Sequence, residues 1–409
     1  MEQGWVAVAA TGEVGMVPRP VTVAGRRLVL VRLRPDGPVV AFADHCPHRL
    51  VPLSAGSVHS GRLRCAYHGW EFTADGRCVE LPSLGPDAVP PPRAHLDPLP
   101  DVCEDAGTVW VRAAPGDDAP DEGLTNLDPA LLHAWHPVAL ADEVGPGPFE
   151  ALLVGRPWTL RRVGGQVIAD PPPAGVCERW GVVWLAPRPS IVDLFDDPDA
   201  EDAAYVGAWL PPSRTNVPAG VVADNFLDVA HFPFVHAGTF GAGEAKVVPP
   251  YEVTEGPDGC RSVQEQWFDN PEDPGVAAGL RPVRQRRRAT YVYRAPFQLM
   301  LRLEELDAGA VKTILFFVQP ESLTSSRIYT KMLLHGIGGV DRPDAGTVAR
   351  EVAFEEAVLA EDLALQRAMT LTALPLRMRT ELHVRADRLG IALRRTLARF
   401  VQRAANVPA

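Results

Sequence analysis

Four residues in two short runs carry the most specific chemistry in the chain. Cys46-Pro47-His48-Arg49 and Cys65-Ala66-Tyr67-His68-Gly69-Trp70 form a C-x-H and a C-x-x-H, with sixteen residues between His48 and Cys65. Two thiolates and two imidazoles can close a tetrahedral zinc site. They can also hold a [2Fe–2S] cluster in which cysteine ligates one iron and histidine the other. Zinc fingers usually pair Cys with Cys and His with His along the chain, whereas each run here supplies one of each, which favours the cluster. Cys46 and Cys65 would then take one iron, and His48 and His68 the second. Each Cys/His pair would lie at the tip of a hairpin loop, where Pro47, Gly69 and the Gly56/Gly61 region suit tight turns. Histidine ligation raises the potential to roughly −150 to +300 mV, so such a cluster can pass electrons onward. Cys78, Cys103, Cys177 and Cys260 have no partner pattern and are expected to be buried as small apolar side chains.

A second set lies in residues 224–236, where His231 and His236 are five apart with Pro233 between them. On one uninterrupted helix that spacing turns the two rings apart. A break at Pro233 lets both converge on one ion. Asp228, three residues before His231, is expected on the same helical face. A 2-His-1-carboxylate facial triad needs an acid from elsewhere. The best long-helix candidate is 345–371, with no proline and no glycine after Gly346, and it carries Glu361-Asp362.

Taken together, CPHR, CAYHGW and the flanking LSAG, DGRCVELPS and GTVWV segments resemble the Rieske non-haem iron oxygenases. Asn225-x-x-Asp228-x-x-His231-x4-His236 resembles their mononuclear-iron segment, and the following Ala-Gly-Thr-Phe-Gly resembles the monooxygenase-like branch that includes vanillate O-demethylase. The resemblance implies a [2Fe–2S] cluster, mononuclear Fe(II) held by His231, His236 and an acid, and O2 as co-substrate. In the family that acid is an Asp in a long helix, often in a Glu-Asp pair. It falls on Asp362, with Glu361 as its rival. Asp228 would bridge a cluster histidine, His68, to an iron histidine, His231, a link usually made across a subunit interface; Asn225 belongs to the same segment. The expected activity is hydroxylation or demethylation of an apolar or aromatic small molecule, in natural-product metabolism among other settings. Oxidative cyclisation, N-oxygenation and non-catalytic electron transfer are the alternatives. No nicotinamide- or flavin-binding fingerprint occurs, so NAD(P)H should be oxidised by a separate ferredoxin reductase system.

These sites need a frame to hold them. With 409 residues, 46% of them hydrophobic and 22% charged, the chain suits two or three ordinary domains. The net charge of −11 argues against a general nucleic-acid binder. The opening residues do not read as a signal peptide, no apolar run is long enough to span a bilayer, and a cytoplasmic location is expected. Residues 5–32 align without gaps onto 135–162, pairing Trp5 with Trp135, Gly15 with Gly145, Gly25 with Gly155 and Arg32 with Arg162. Val39 to Ala41 then match 167–169. Val102-Cys103-Glu104 match Val176-Cys177-Glu178, and Gly107, Val109 and Trp110 match Gly181, Val183 and Trp184. The first copy holds about residues 44–101 between its matching parts, whereas the second has only 170–175, so it should hold no metal.

The expected architecture is therefore α+β in three parts. Residues 1–122 would form a Rieske ferredoxin-like β domain, 123–198 a degenerate metal-less copy, and 199–409 a helix-grip (START-like) catalytic domain. Strands are expected near 262–268, 287–294, 297–304, 311–318 and 326–333. Family members commonly assemble as head-to-tail trimers. The extra copy leaves a homotrimer, a dimer and a monomer all open. The Arg-rich run Val283–Arg288 reads either as a dock for an acidic ferredoxin or reductase or as a solvated edge strand. The segment around 381–404 reads as a basic amphipathic helix, for a membrane surface or for packing on the catalytic domain.

Overall fold

The computed structural model describes residues 4–96, 100–112, 123–241, 245–270 and 273–407. The expected division at 122/123 falls at the edge of residues outside that description.

Alternating Val and Leu with polar residues builds the first β unit. Arg19–Val23, Arg26–Arg32 and Val39–Ala43 form one antiparallel sheet, and Val6–Ala10, Thr108–Arg112 and Asp101–Asp105 another. Their inward residues, among them Leu28, Leu30, Val109 and Val111, close a common core. Four short strands, Ser57–His59, Arg62–Arg64, Glu71–Phe72 and Cys78–Glu80, form a third sheet inserted between the two.

Residues 136–186 repeat the first two sheets down to the register. Ala7 faces Trp110 and Ala9 faces Val109 across a bulge; Pro137 faces Trp184 and Ala139 faces Val183 across the same bulge. Leu30 pairs with Ala41, and Leu160 with Ala169. Arg32 donates from Nε to Val14 O (2.9 Å) and pairs with Glu104, and Arg162 donates to Val144 O (3.2 Å) and pairs with Glu178. The third sheet has no counterpart, because strand Gln166–Asp170 is joined to Gly175–Arg179 by four residues.

His136 opens a strand of this second unit, fully buried, with Nε2–H donated to Leu131 O at 2.7 Å. Burial pushes its pKa down to about 4, from an ordinary 6.5. The folded state thus binds fewer protons than the unfolded one between these values. Stability is complete above about pH 6.5 and falls by about 3 kcal/mol as pH drops towards 4. His136→Gln keeps a donor for Leu131 O and should lose this part of the slope in denaturant titrations at pH 4.5 and 7.

The third unit is an eight-stranded antiparallel sheet. Its order runs Val206–Trp209, Ser325–His335, Ala310–Ser322, Gln298–Glu305, Arg284–Arg294, Gly259–Asp269 and Thr254–Glu255, with Ser213–Thr215 also paired to Ser325–His335. All five expected strands are present. Helices α1 (Ala219–Leu227), α2 (Phe232–Val235), α3 (Pro274–Ala277), α4 (Ala345–Gln366) and α5 (Arg388–Ala405) complete it. Asp344 caps α4, accepting from Thr347 N at 2.7 Å.

Several expectations are corrected. Helix α4 ends at Gln366, short of 371, because Met369, Leu371 and Ala373 are buried alternately, an extended pattern that a helix would spread around its circumference. The last helix starts at Arg388 and packs as a structural element: Arg394 is fully buried, Arg395 and Arg399 pair with Glu255, and Arg403 pairs with Asp258. Arg284–Arg294 lies between two neighbouring strands, so it is not an edge. Arg286 faces Asp307 at 3.6 Å and Arg288 faces Glu265 at 2.7 Å, so the Arg-rich run is largely neutralised. Cys78 and Cys260 are buried as expected, but Cys103 is exposed and Cys177 half-buried. No helix among the described residues is long and apolar enough to cross a membrane.

Candidate metal centres

Two tight loops of the inserted sheet present the first set. Cys46 N donates to Val51 O and Leu50 N to Cys46 O (both 2.9 Å). In the other loop Cys65 N donates to Trp70 O (2.9 Å) and Gly69 N to Cys65 O (3.2 Å). Cys46, His48, Cys65 and His68 are all buried, and the His48 and His68 rings lie 4.4 Å apart. Trp70 stacks on His48 at 4.5 Å and fixes its plane. His48 Nε2 is 3.0 Å from both oxygens of Asp387, while its buried Nδ1 has no partner. His68 Nε2 is bonded to Asp228 Oδ2 at 2.7 Å. An inward imidazole nitrogen with nothing to bond, beside two buried thiols and a second imidazole, fits the donor set of a [2Fe–2S] cluster.

The second set is built around a break in the chain. Helix α1 stops at Leu227, and Asp228 is extended (φ −79°, ψ 123°). Asp228 and His231 therefore do not share a helical face, as the spacing had suggested. The break falls at Asp228 and not at Pro233, which sits in the first turn of α2, where its missing N–H costs nothing. His231 and His236 flank α2, and their Nε2 atoms face each other at 3.0 Å. Asp362 Oδ1, from α4, lies 3.5 Å from His231 Nε2 and 3.6 Å from His236 Nε2. Ligand atoms of these three residues lie within 4.8 Å of one another. Two facing imidazole nitrogens with a carboxylate beside them share either a proton or a metal ion, and the set suits the facial triad of non-haem Fe(II).

Neighbouring groups fix each member. Glu361 takes a separate place: its Oε2 accepts from His236 Nδ1 (3.0 Å) and Thr239 Oγ1 (2.7 Å), and its Oε1 from Gly238 N (3.1 Å). It holds the outer side of His236 and leaves the triad position to Asp362. Truncating an outer partner of this kind typically costs 10–100-fold in metal affinity. Glu361→Ala should weaken Fe(II) binding by about that factor in equilibrium titrations, with the cluster chromophore unchanged. Asn225 Nδ2 donates to Asp362 Oδ1 and to Tyr67 Oη (both 3.0 Å), while Gln366 Nε2 donates to Asn225 Oδ1 (3.2 Å).

Asp228 stands between the two sets. Its Oδ2 meets His68, and its Oδ1 lies 3.6 Å from His231 Nδ1 while accepting from Ala230 N at 2.7 Å. Burial alone would raise its pKa, but the two imidazoles outweigh that and hold it well below the carboxylate range. Burial opposes charge on His231 too, yet Asp228 and Asp362 carry its pKa up to about 9. Behind the loops Arg49 pairs with Asp224 (3.3 Å) and Asp387 (3.2 Å), and Arg394 pairs with Asp224 and Glu381 (both 2.6 Å), all buried. Sequence reasoning missed Asp387, Glu381, Asp224 and Gln366, which carry no local pattern.

The Rieske [2Fe–2S] domain family matches residues 4–98, and the vanillate O-demethylase oxygenase C-terminal domain family matches residues 215–403. A probable methylxanthine N7-demethylase, NdmC, from Pseudomonas sp. (strain TJI-51) is 30% identical over 291 residues, covering 65% of this chain and 93% of that protein. The chain belongs to the Rieske non-haem iron oxygenases. Other Rieske oxygenases match it over less of their length. The 3-chlorobenzoate-3,4-dioxygenase oxygenase subunit of Comamonas testosteroni is 39% identical over 113 residues, 27% of this chain and 26% of its own. The dicamba O-demethylase oxygenase component of Stenotrophomonas maltophilia is 36% identical over 137 residues, 32% and 38% respectively. Rieske oxygenases combine a [2Fe–2S] cluster, mononuclear iron and O2, and take electrons from a separate reductase. Both donor sets described above have the composition that pairing requires.

Proposed function

We propose that the chain is the terminal component of an oxygenase that demethylates or hydroxylates an apolar aromatic small molecule. The observation that carries this reading is the convergence of His231, His236 and Asp362, with Asp228 between His231 and His68. In this reading Cys46, His48, Cys65 and His68 hold the cluster, and His231, His236 and Asp362 hold Fe(II). Bound there, the two centres supply electron relay and O2 activation. Asp228 orients one imidazole of each centre and links them. Asn225 donates to Oδ1 of Asp362, the oxygen that also faces both histidines, and Glu361 fixes His236.

Aromatic rings stand beside the triad and suit a flat apolar substrate: Phe240 stacks on His236 at 5.1 Å, and Phe232 lies 5.4 Å from Phe240. Hydroxylation of an O- or N-methyl group takes one O2, two electrons and two protons and releases one water. The hydroxymethyl product then loses formaldehyde. The similarity to demethylases of methylxanthine and dicamba supports methyl groups on aromatic rings as the first compounds to try. The chain divides, in the same reading, into a cluster domain (1–122), a metal-less Rieske-like copy (123–198) and a helix-grip catalytic domain (199–409).

Iron and acid-labile sulfide counts, followed by reconstitution with a ferredoxin and ferredoxin reductase, test the proposal. About three irons per chain and formaldehyde from a methylxanthine or an O-methyl aromatic are expected. About two irons with no oxygen uptake would reduce the protein to an electron carrier.

A further inference from the structure

We infer that this chain is a self-contained electron circuit, in which its own cluster serves its own mononuclear iron through Asp228 while the second β unit braces the catalytic sheet from another side. The inference rests on the metal assignments proposed above and adds to them a direction of flow within one polypeptide.

The contact between cluster loops and catalytic unit is made inside one chain and is fully built. His68 meets Asp228, His48 meets Asp387, Tyr67 meets Asn225, and the backbone N–H of Leu382 donates to Pro47 O at 2.8 Å. Gly69 has φ +68°, and a Cβ there would lie 2.2 Å from Cε1 of Phe234, so only glycine lets this loop lie against α2. Arg49, Asp224 and Asp387 are buried across the same contact. Arg49 of the cluster loop is thus matched in charge by Asp224 and Asp387 of the catalytic unit, within one chain.

The second unit explains how the first is free to sit there. The two copies share register but touch the catalytic unit by different surfaces. The copy without loops docks by its hairpin turn: Val154 N donates to Pro320 O and Gly155 N to Glu321 O, both at 2.8 Å, and Gln319 donates to Leu152 O at 2.8 Å. The matching turn of the first copy, Ala24-Gly25, is exposed. The first copy docks instead by the two metal loops that the second lacks. One fold, used twice, therefore covers two distinct sites on a single catalytic unit. With both centres bound, the cluster held by Cys46, His48, Cys65 and His68 would supply electrons to iron held by His231, His236 and Asp362 of the same chain, and the separate reductase would return electrons to the cluster.

The test couples the two centres magnetically. Nitric oxide on the ferrous site is the probe, and the electron-spin relaxation of the reduced cluster is the readout, so no substrate or turnover is involved. In the intact holoprotein, relaxation should become several-fold faster on adding nitric oxide and stay so on hundredfold dilution. In Cys46→Ser chains (cluster lost) and His231→Ala chains (iron lost) that are co-expressed and purified together, so that any ring they form contains both, it should not change. Coupling in the co-purified chains, coupling that fades on dilution, or no coupling in the intact protein would each overturn the inference. The intact-protein arm stands even where a variant fails to fold. Persistent coupling in a protein that forms no product would instead remove the proposed reaction and leave the circuit in place.

Discussion

Asp228→Ala should leave both metals bound and lower product formation about 100-fold, the upper range for losing a carboxylate behind a ligating histidine. The side chain touches no metal position itself. It is bonded to His68 Nε2 at 2.7 Å and sits 3.6 Å from His231 Nδ1, so its loss frees one imidazole of each centre and opens the shortest polar link between them. Asp228→Asn retains the shape and one acceptor oxygen and should fall between the two. Iron and sulfide counts, the cluster's midpoint potential, and formaldehyde release with the reductase present would be measured together. Normal turnover by the alanine variant would show that electrons reach the iron without this carboxylate.

Asp362→Ala should abolish turnover and lower iron from about three to about two per chain, with the visible spectrum of the cluster retained. Asp362 Oδ1 lies within 3.6 Å of both Nε2 atoms, and among the described residues no other carboxylate shares that position, Glu361 being engaged on the far side of His236. The same contrast applies to metal removal. A chelator should strip the mononuclear site first, since Asp362 is half-buried whereas Cys46, Cys65, His48 and His68 are almost wholly enclosed. Retention of three irons by the alanine variant would move the third ligand elsewhere.

The convergence of Cys46, His48, Cys65 and His68 was legible because all four sit in two local runs whose loops need only short-range hydrogen bonds to form. The approach of His231 and His236 was legible for the same reason. The choice between Glu361 and Asp362 was not settled by residue type: consecutive helical positions point about 100° apart, and which one faces the histidines depends on how α4 lies across α2. Asp387 was illegible, being one acid in an arginine-rich segment that acquires its partner, His48, from 339 residues away. The strand positions followed from alternation, and the repeat predicted matching registers that the backbone then displays. The expected helix through Asp228 failed because its backbone is extended where it meets His68, a contact 160 residues distant in sequence.

The contact of His68 with Asp228, beside His231 of the same chain, has a genetic corollary. In a ring where each chain feeds the next, a chain with a dead cluster and a chain with a dead iron site restore one working pair between them. Where the contact is made inside the chain, no such pair forms, and lesions in the two halves of the molecule should not complement.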